Sequence, residues 1–175
     1  MPDDIIKSAI VQFRLYKILG EKTFQQLNDE MLNHTDSDSV NSMSTIIKHL
    51  RGNMLSRWTD FLTTDGEKEW RSRDHEFENT AVSRDDLINL WNEGWECLFG
   101  TLESLTDQHL DKVVKIRGQE LTVIEAIHRQ LAHYSYHVGQ IVMLGKLMLG
   151  ENWKSLSIPK GQSKQFNAEM FDKGK

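Results

Sequence analysis

The chain has very little cysteine, since Cys97 is the only one among its 175 residues. One thiol cannot form an intrachain disulfide or a metal site built from several thiolates. Any metal site must therefore rest on imidazole, and the scarcity of cysteine is consistent with a reducing compartment. Cys97 itself lies in a leucine-rich segment, which is typical of a core residue.

Proline and glycine are also scarce, with 2 and 11 residues. Together with 38% hydrophobic and 27% charged residues, this composition excludes collagen-like and low-complexity chains. It predicts an ordinary globular protein, and 175 residues suit one domain.

Basic residues are outnumbered, because 21 Lys and Arg face 26 Asp and Glu, for a net charge of −5. That sign opposes phosphate binding, so neither nucleic acid nor a membrane surface is an expected partner. The longest apolar stretch, residues 138–149, is too short to span a bilayer and contains Lys146. The sequence Met1-Pro2-Asp3-Asp4 lacks the basic and apolar segments of a signal peptide. We therefore expect a cytoplasmic protein.

Apolar residues recur at three- and four-residue steps in four stretches, which predicts four amphipathic helices. The first spans residues 6–31, where Gly20 predicts a close helix contact. The second spans residues 42–62. Residues 63–82 lose the periodicity and are crowded with charges, which predicts a long surface connection.

Capping signals define the other two helices. Ser83 resembles the N-cap of a third helix, which continues to Leu105. A capping box at Thr122 and Glu125 opens the fourth helix, which ends at Leu149.

A short β-hairpin is expected before the fourth helix, with strands over residues 113–116 and 120–123. The predicted fold is therefore all-α: an up-down four-helix bundle over residues 1–150 that includes this hairpin. Residues 151–175 form a polar tail packed on or near the bundle, with three candidate anchors: Trp153, Ile158 and Phe166.

The fourth helix carries few polar residues, and they occupy a minority of its circumference. Such a helix is buried on more than one side, either within the bundle or against a second copy of the chain. A homodimer is therefore one expected form of the protein.

Three of the seven histidines can converge. His133 and His137 are four residues apart and share one side of the fourth helix. His49 lies on the apolar side of the second helix, and facing helices of a bundle bring such side chains together in its core. The alternative is that each is a buried ring held by one or two hydrogen bonds. The other histidines are expected on the surface or turned away from this side: His34, His75, His109 and His128.

Three imidazoles with an open fourth position describe a catalytic rather than a structural zinc site. The open position could hold water with a pKa lowered to about 7, or a thiolate. Zinc is the expected divalent metal, with nickel, manganese and iron as alternatives.

Three polar residues could support this site or its substrate. Gln140 lies three residues beyond His137, and Asn53 lies four beyond His49, so either amide could orient a ligand. Each could equally be an ordinary surface amide. Arg57 could bind a carboxylate of the substrate or extend to solvent from the bundle end.

The sequence resembles the DinB/YfiT-like superfamily of small bacterial metal-binding four-helix bundles. The resemblance covers nearly the whole chain and is carried by three segments: Lys48-His49-Leu50-Arg51-Gly52-Asn53-Met54, His133-Tyr134-Ser135-Tyr136-His137-Val138-Gly139-Gln140 and Ser157-Ile158-Pro159-Lys160-Gly161. It implies a homodimer in which His49, His133 and His137 are the metal ligands. Many relatives have arginine directly after the last histidine, where this chain has Val138, so no role of that arginine carries over.

Characterised members of that superfamily include enzymes that transfer low-molecular-weight thiols, such as bacillithiol or mycothiol. The leading hypothesis is therefore a metal-dependent thiol transferase that directs the thiolate at a small electrophilic substrate. One alternative is a metal-dependent hydrolase that uses the same site, and another is a dimeric helical bundle without catalytic activity. The sequence leaves open whether the protein is an enzyme.

Overall fold

The computed structural model describes residues 4–37, 39–78 and 80–173. These residues are mostly helical and form seven helices: α1 Asp4–Phe24, α2 Asp29–Asn33, α3 Met43–Trp58, α4 Arg73–Glu76, α5 Arg84–Glu103, α6 Val123–Leu149 and α7 Ser163–Lys173. Two antiparallel strands precede α6, β1 Val113–Ile116 and β2 Gln119–Thr122. The expected helical class and the hairpin before the last long helix are confirmed.

The long helices pack in pairs, α3 against α5 and α1 against α6, with further contacts between α1 and α5 and between α3 and α6. Each contributes one fully buried aromatic side chain to a shared cluster. Phe13 of α1 meets Trp58, Trp95 and Tyr134 of the other three at ring-centroid distances of 5.9–6.4 Å. Large rings in edge or tilted contact dominate the energetics of such a core.

Side-chain caps fix where the long helices begin. The hydroxyl of Ser42 accepts from the amide of Thr45, and the hydroxyl of Ser83 accepts from the amide of Asp86. At α6, Thr122 and Glu125 form both bonds of the predicted capping box. These contacts satisfy N–H groups that the first turn of a helix leaves unpaired.

The prediction of one helix over residues 6–31 is wrong, because α1 ends at Phe24 and α2 begins at Asp29. Asn28 accepts from the amide of Met31 at 2.9 Å, and this cap starts the second helix. Asparagine favours such local bonding over the interior of a helix. The second and third predicted helices also end early, at Trp58 and Glu103.

Gly20 has the predicted close contact. A Cβ atom at this position would lie 2.5 Å from Cζ2 of Trp91 on α5. The absence of a side chain therefore lets α1 approach the indole ring directly.

The prediction of a surface connection over residues 63–82 is wrong for the middle of that region. It contains α4, and Glu76 at the end of that helix is only 9% exposed. Charged residues were expected to face water there, but buried charges are stable when they pair with one another. Glu76 has such partners in Arg71 and His49.

The first part of this connection packs on the hairpin. The carboxylate of Asp65 accepts from the amides of Glu67, Arg117 and Gly118 at 2.7–2.8 Å. Arg117 and Gly118 have φ of 55° and 74°, a left-handed turn that suits a two-residue hairpin. Partial burial alone would raise the pKa of Asp65, but the three N–H donors lower that pKa below its usual value.

The C-terminal segment, predicted as a polar tail, contains the helix α7 over Ser163–Lys173. Trp153 lies against Gly145 of α6, as an anchor should. Ile158 and Phe166 are exposed, so their expected role as anchors is wrong. The division into a bundle over residues 1–150 and a tail over 151–175 stays a prediction. None of the described helices has the length and apolar character needed to cross a membrane.

Candidate metal centre

Three histidines meet between α3 and α6. His49 projects from α3, and His133 and His137 project from successive turns of α6. Nε2 of His133 lies 3.4 Å from Nε2 of His49 and 3.1 Å from Nε2 of His137. In the described part of the chain, they are the only cluster of three potential metal ligands.

The spacing of these nitrogens fits a metal ion. Zinc binds imidazole nitrogen at about 2.0–2.1 Å, so two ligands at a tetrahedral angle lie about 3.3 Å apart. The two Nε2–Nε2 separations around His133, 3.1 and 3.4 Å, bracket that distance. The three imidazoles therefore form a site that could hold one divalent ion.

A buried carboxylate supports His49 from the opposite side. Nδ1 of His49 donates to Oε2 of Glu76 at 2.9 Å, and His49 is only 5% exposed. Arg71 donates to both oxygens of Glu76, through Nε at 2.8 Å and Nη2 at 2.9 Å. The ring of Phe77 also lies against His49, with centroids 4.9 Å apart.

Gln140 takes the position predicted for a residue that orients His137. Its Oε1 accepts from Nδ1 of His137 at 2.8 Å. Such a bond fixes the ring orientation and leaves Nε2 free for a metal. Nδ1 of His133 is buried and has no hydrogen-bond partner among the described residues.

Burial keeps two of the rings uncharged. The pKa of His133 is lowered from 6.5 to about 3, first by burial and then by His137 and His49. The pKa of His137 is also lowered, mainly by burial. Neutral imidazole is the form that binds metal.

The Glu76 carboxyl stays ionised beside them. Burial would raise the pKa of Glu76, but hydrogen bonds from His49 and Arg71 and the charge of Arg71 lower it below its usual value. An ionised carboxylate can only accept hydrogen bonds, so Nδ1 of His49 carries the hydrogen between them.

Asn53 and Arg57 lie on the same face of α3 but bond elsewhere. Oδ1 of Asn53 accepts from the hydroxyl of Tyr134 at 3.0 Å. Arg57 is buried and donates to the carbonyl of Gly66 and, at 3.2 Å, to Oε2 of Glu67. The carboxylate that Arg57 binds thus belongs to the 63–82 connection.

The remaining histidines take other roles. His34 and His75 lie at the surface beside Asp36 and Glu78, and His128 is exposed on α6. His109 is half-buried in the segment after α5, where its Nδ1 accepts a hydrogen bond from the amide of Thr106. These positions agree with their exclusion from the cluster.

The one cysteine is not poised for chemistry. Cys97 is half-buried on α5 with Thr59 at 3.6 Å, and burial raises the pKa of its thiol. It is therefore protonated at neutral pH.

A groove of about 520 Å³ lies between α3, α6 and residues 39–41. Its walls are mostly apolar and include Ile46, Tyr136 and Met143. Gln140 lines the same groove, so the residue that holds His137 also faces this space.

Glu76 and Arg71 are the site residues that the sequence did not reveal. Both lie in a stretch without periodicity, 27 residues and 22 residues beyond His49 in the chain. Gly52 is the one available signal, because it stands three residues after His49 on the buried side of α3. A glycine there indicates that another group approaches closely.

These features define a class of protein: mostly helical, with a candidate trihistidine metal centre. The chain belongs to the family described as "Protein of unknown function (DUF1572)", whose family model matches residues 1–162. No curated protein matches the chain.

Proposed function

We propose that the protein binds one divalent metal ion through His49, His133 and His137. The observation that carries this proposal is the convergence of three Nε2 atoms, with separations of 3.1 and 3.4 Å around His133. One metal ion bound by three imidazoles requires their ligand nitrogens to converge in this way. Zinc is the proposed metal because imidazole suits it and the separations fit its bond length.

We assign the fold to the DinB-like four-helix bundles, with α1, α3, α5 and α6 as the bundle. The pairwise packing of these helices around one aromatic cluster supports that assignment. The sequence segments around His49 and His133 that resemble the superfamily support it independently.

The proposed activity is transfer of a low-molecular-weight thiol to a small electrophilic substrate. A zinc ion held by three neutral imidazoles would keep the thiol ionised at neutral pH. The thiol would release its proton to solvent, and its sulfur would form a bond to the electrophilic carbon while the leaving group departs with its bonding electron pair.

The residues of the chain prepare this reaction. Gln140 and Glu76 hold two of the imidazoles with Nε2 directed inward. The mostly apolar groove that Gln140 lines would receive the substrate.

Metal analysis of protein purified without an affinity tag tests the site. We expect about one zinc per chain in the wild type and a loss of bound metal in His49→Ala and His137→Ala. His128→Ala is the matched control, because His128 is an exposed histidine of the same helix as His137. Absence of stoichiometric metal from the wild type, or its retention in both site variants, would contradict the proposal.

Turnover assays then test the activity. The metal-loaded protein is combined with a generic electrophile and a panel of low-molecular-weight thiols. Turnover that needs a thiol and is lost in His137→Ala supports the transferase. Thiol-independent cleavage of an ester or amide would instead indicate the hydrolase.

We further propose that the protein is a cytoplasmic homodimer. Val11, Leu15 and Ile18 form an exposed apolar stripe on α1, and Leu147 on α6 is 66% exposed. A second copy that covers such surface would remove it from water. Light scattering should give the mass of two chains, and Leu15→Glu should lower it. Val113→Glu on the hairpin is the control, and a monomer in the wild type would exclude the dimer.

A further inference from the structure

We infer that Glu76 is a positioning residue for the metal centre, which holds His49 as the Nδ1–H tautomer with Nε2 directed at His133 and His137. This inference rests on the proposed metal site and adds a third chain segment to it. Glu76 comes from α4, which was expected to be part of a surface connection.

The bonding of Glu76 supports this role. Its Oε2 accepts from His49 at 2.9 Å, and its two oxygens accept two bonds from Arg71. The Arg71 side chain is only 2% exposed. A bidentate arginine fixes the plane of a carboxylate, so Oε2 has a defined position when it meets the imidazole.

Gly52 provides the space that Glu76 occupies. A Cβ atom on Gly52 would overlap Oε1 of Glu76 and would lie 2.7 Å from its Cδ. Gly52 stands one helical turn after His49 on α3. The same helix therefore carries the ligand and the recess that admits the residue positioning it.

The tautomer decides which nitrogen can bind metal. Neutral imidazole carries one hydrogen, and a hydrogen on Nδ1 leaves the lone pair on Nε2. Without an acceptor at Nδ1, His49 can place the hydrogen on Nε2, which then faces the other two rings. When a group that holds a histidine ligand through its second nitrogen is removed, metal affinity typically falls by about 10–100-fold.

The chain offers matched variants. Glu76→Ala removes the acceptor, while Glu76→Gln keeps an amide oxygen that can accept from Nδ1. Gly52→Ala leaves Glu76 in the sequence but displaces its carboxylate. Glu93→Ala is the control for an Arg–Glu pair, because Glu93 forms two bonds with Arg51 of α3 at 2.8 Å. Gly100→Ala is the control for the glycine, since a Cβ there meets nothing within 4 Å.

The first measurement is made on metal-free protein. Imidazole ¹⁵N chemical shifts of His49 should show the Nδ1–H tautomer in the wild type and in Glu93→Ala. The Nε2–H form should appear in Glu76→Ala and Gly52→Ala. An Nε2–H tautomer in the wild type, or an unchanged tautomer in both variants, overturns the inference. This result does not depend on metal, so it also decides the inference if the wild type fails to bind zinc and the proposed function falls.

The second measurement is zinc affinity by competition with a chromophoric chelator. We expect Glu76→Ala and Gly52→Ala to bind zinc 10–100-fold more weakly than the wild type. Glu76→Gln should recover most of the affinity, and both controls should stay within twofold. Wild-type affinity in Gly52→Ala and Glu76→Ala would overturn the inference. Because Glu76→Ala also strips Arg71 of its partner, Gly52→Ala and Glu76→Gln decide the result if that variant does not fold.

Discussion

Tyr134 and Asn53 join the two helices that carry the histidines. The hydroxyl of Tyr134 donates to Oδ1 of Asn53 at 3.0 Å, and Nε1 of Trp58 donates to the same hydroxyl at 3.0 Å. Tyr134 directly follows His133, and Asn53 lies one turn after His49. This buried bond therefore fixes how far α3 and α6 are displaced along each other beside the candidate metal centre.

Removing that hydroxyl should destabilise the protein. Tyr134→Phe leaves Nε1 of Trp58 and Oδ1 of Asn53 without this partner in the core. We expect the free energy of unfolding to fall by about 1–3 kcal/mol, measured by urea denaturation. Tyr136→Phe is the control, because Tyr136 is 62% exposed, and it should stay within about 0.5 kcal/mol of the wild type. Equal effects of the two substitutions would count against the bond.

The contact between Gly20 and Trp91 gives a second stability prediction. Gly20→Ala should lower the free energy of unfolding by about 1–3 kcal/mol, because the added methyl group overlaps a buried indole. Gly100→Ala, where the methyl group meets open space, should leave stability unchanged or raise it by up to about 1 kcal/mol. Chemical denaturation of both variants checks this, and a stabilised Gly20→Ala would show that the two helices can separate without cost.

Asp65 predicts a pH dependence. A carboxyl whose pKa is lowered by folding stabilises the protein above its unfolded pKa, and that stabilisation is lost as pH falls through the folded pKa. The pKa of Asp65 lies below its usual value of 3.8. Asp65→Asn should therefore lower the free energy of unfolding most at neutral pH, with a smaller difference below about pH 4.

Urea denaturation at pH 7 and at pH 3 measures this difference. Asp111→Asn provides an exposed control in the segment before the hairpin. If the wild type and Asp65→Asn differ in free energy of unfolding by the same amount at both pH values, the ionised form of Asp65 is not the stabilising one.

Metal should stabilise the folded chain. A ligand that binds only the folded state adds about 2.7 kcal/mol when it is present at 100 times its Kd. Zinc should therefore raise the thermal unfolding midpoint of the wild type, and a chelator should reverse the increase. His137→Ala should show no such response, whereas His128→Ala should respond as the wild type does. An identical zinc response in His137→Ala would place the stabilising ion elsewhere.

Periodicity and capping chemistry account for what the sequence predicted well. The apolar spacing located the four long helices, and the box at Thr122 and Glu125 located the start of α6. The two ring positions of His133 and His137 follow from helical geometry alone. His49 could be added because apolar neighbours placed it on the buried side of α3.

The missed features depend on contacts between distant segments. A cap at Asn28 outweighs the apolar spacing that continues across the break between α1 and α2. Glu76 and Arg71 look like solvated charges until the fold brings Glu76 to His49 and Gly52. Pairing of buried charges is a property of the folded arrangement, and no local pattern of α4 records it.

The four-residue length of α4 has a consequence for how an ion would enter and leave the proposed site. A single helical turn has no stability of its own, so Glu76 reaches His49 only when the surrounding chain has already folded. Local opening of residues 71–77 would release His49 from its acceptor while α3 and α6 remain intact. We therefore expect zinc bound at the proposed site to exchange with a chelator at the rate of this local opening, which is faster than global unfolding.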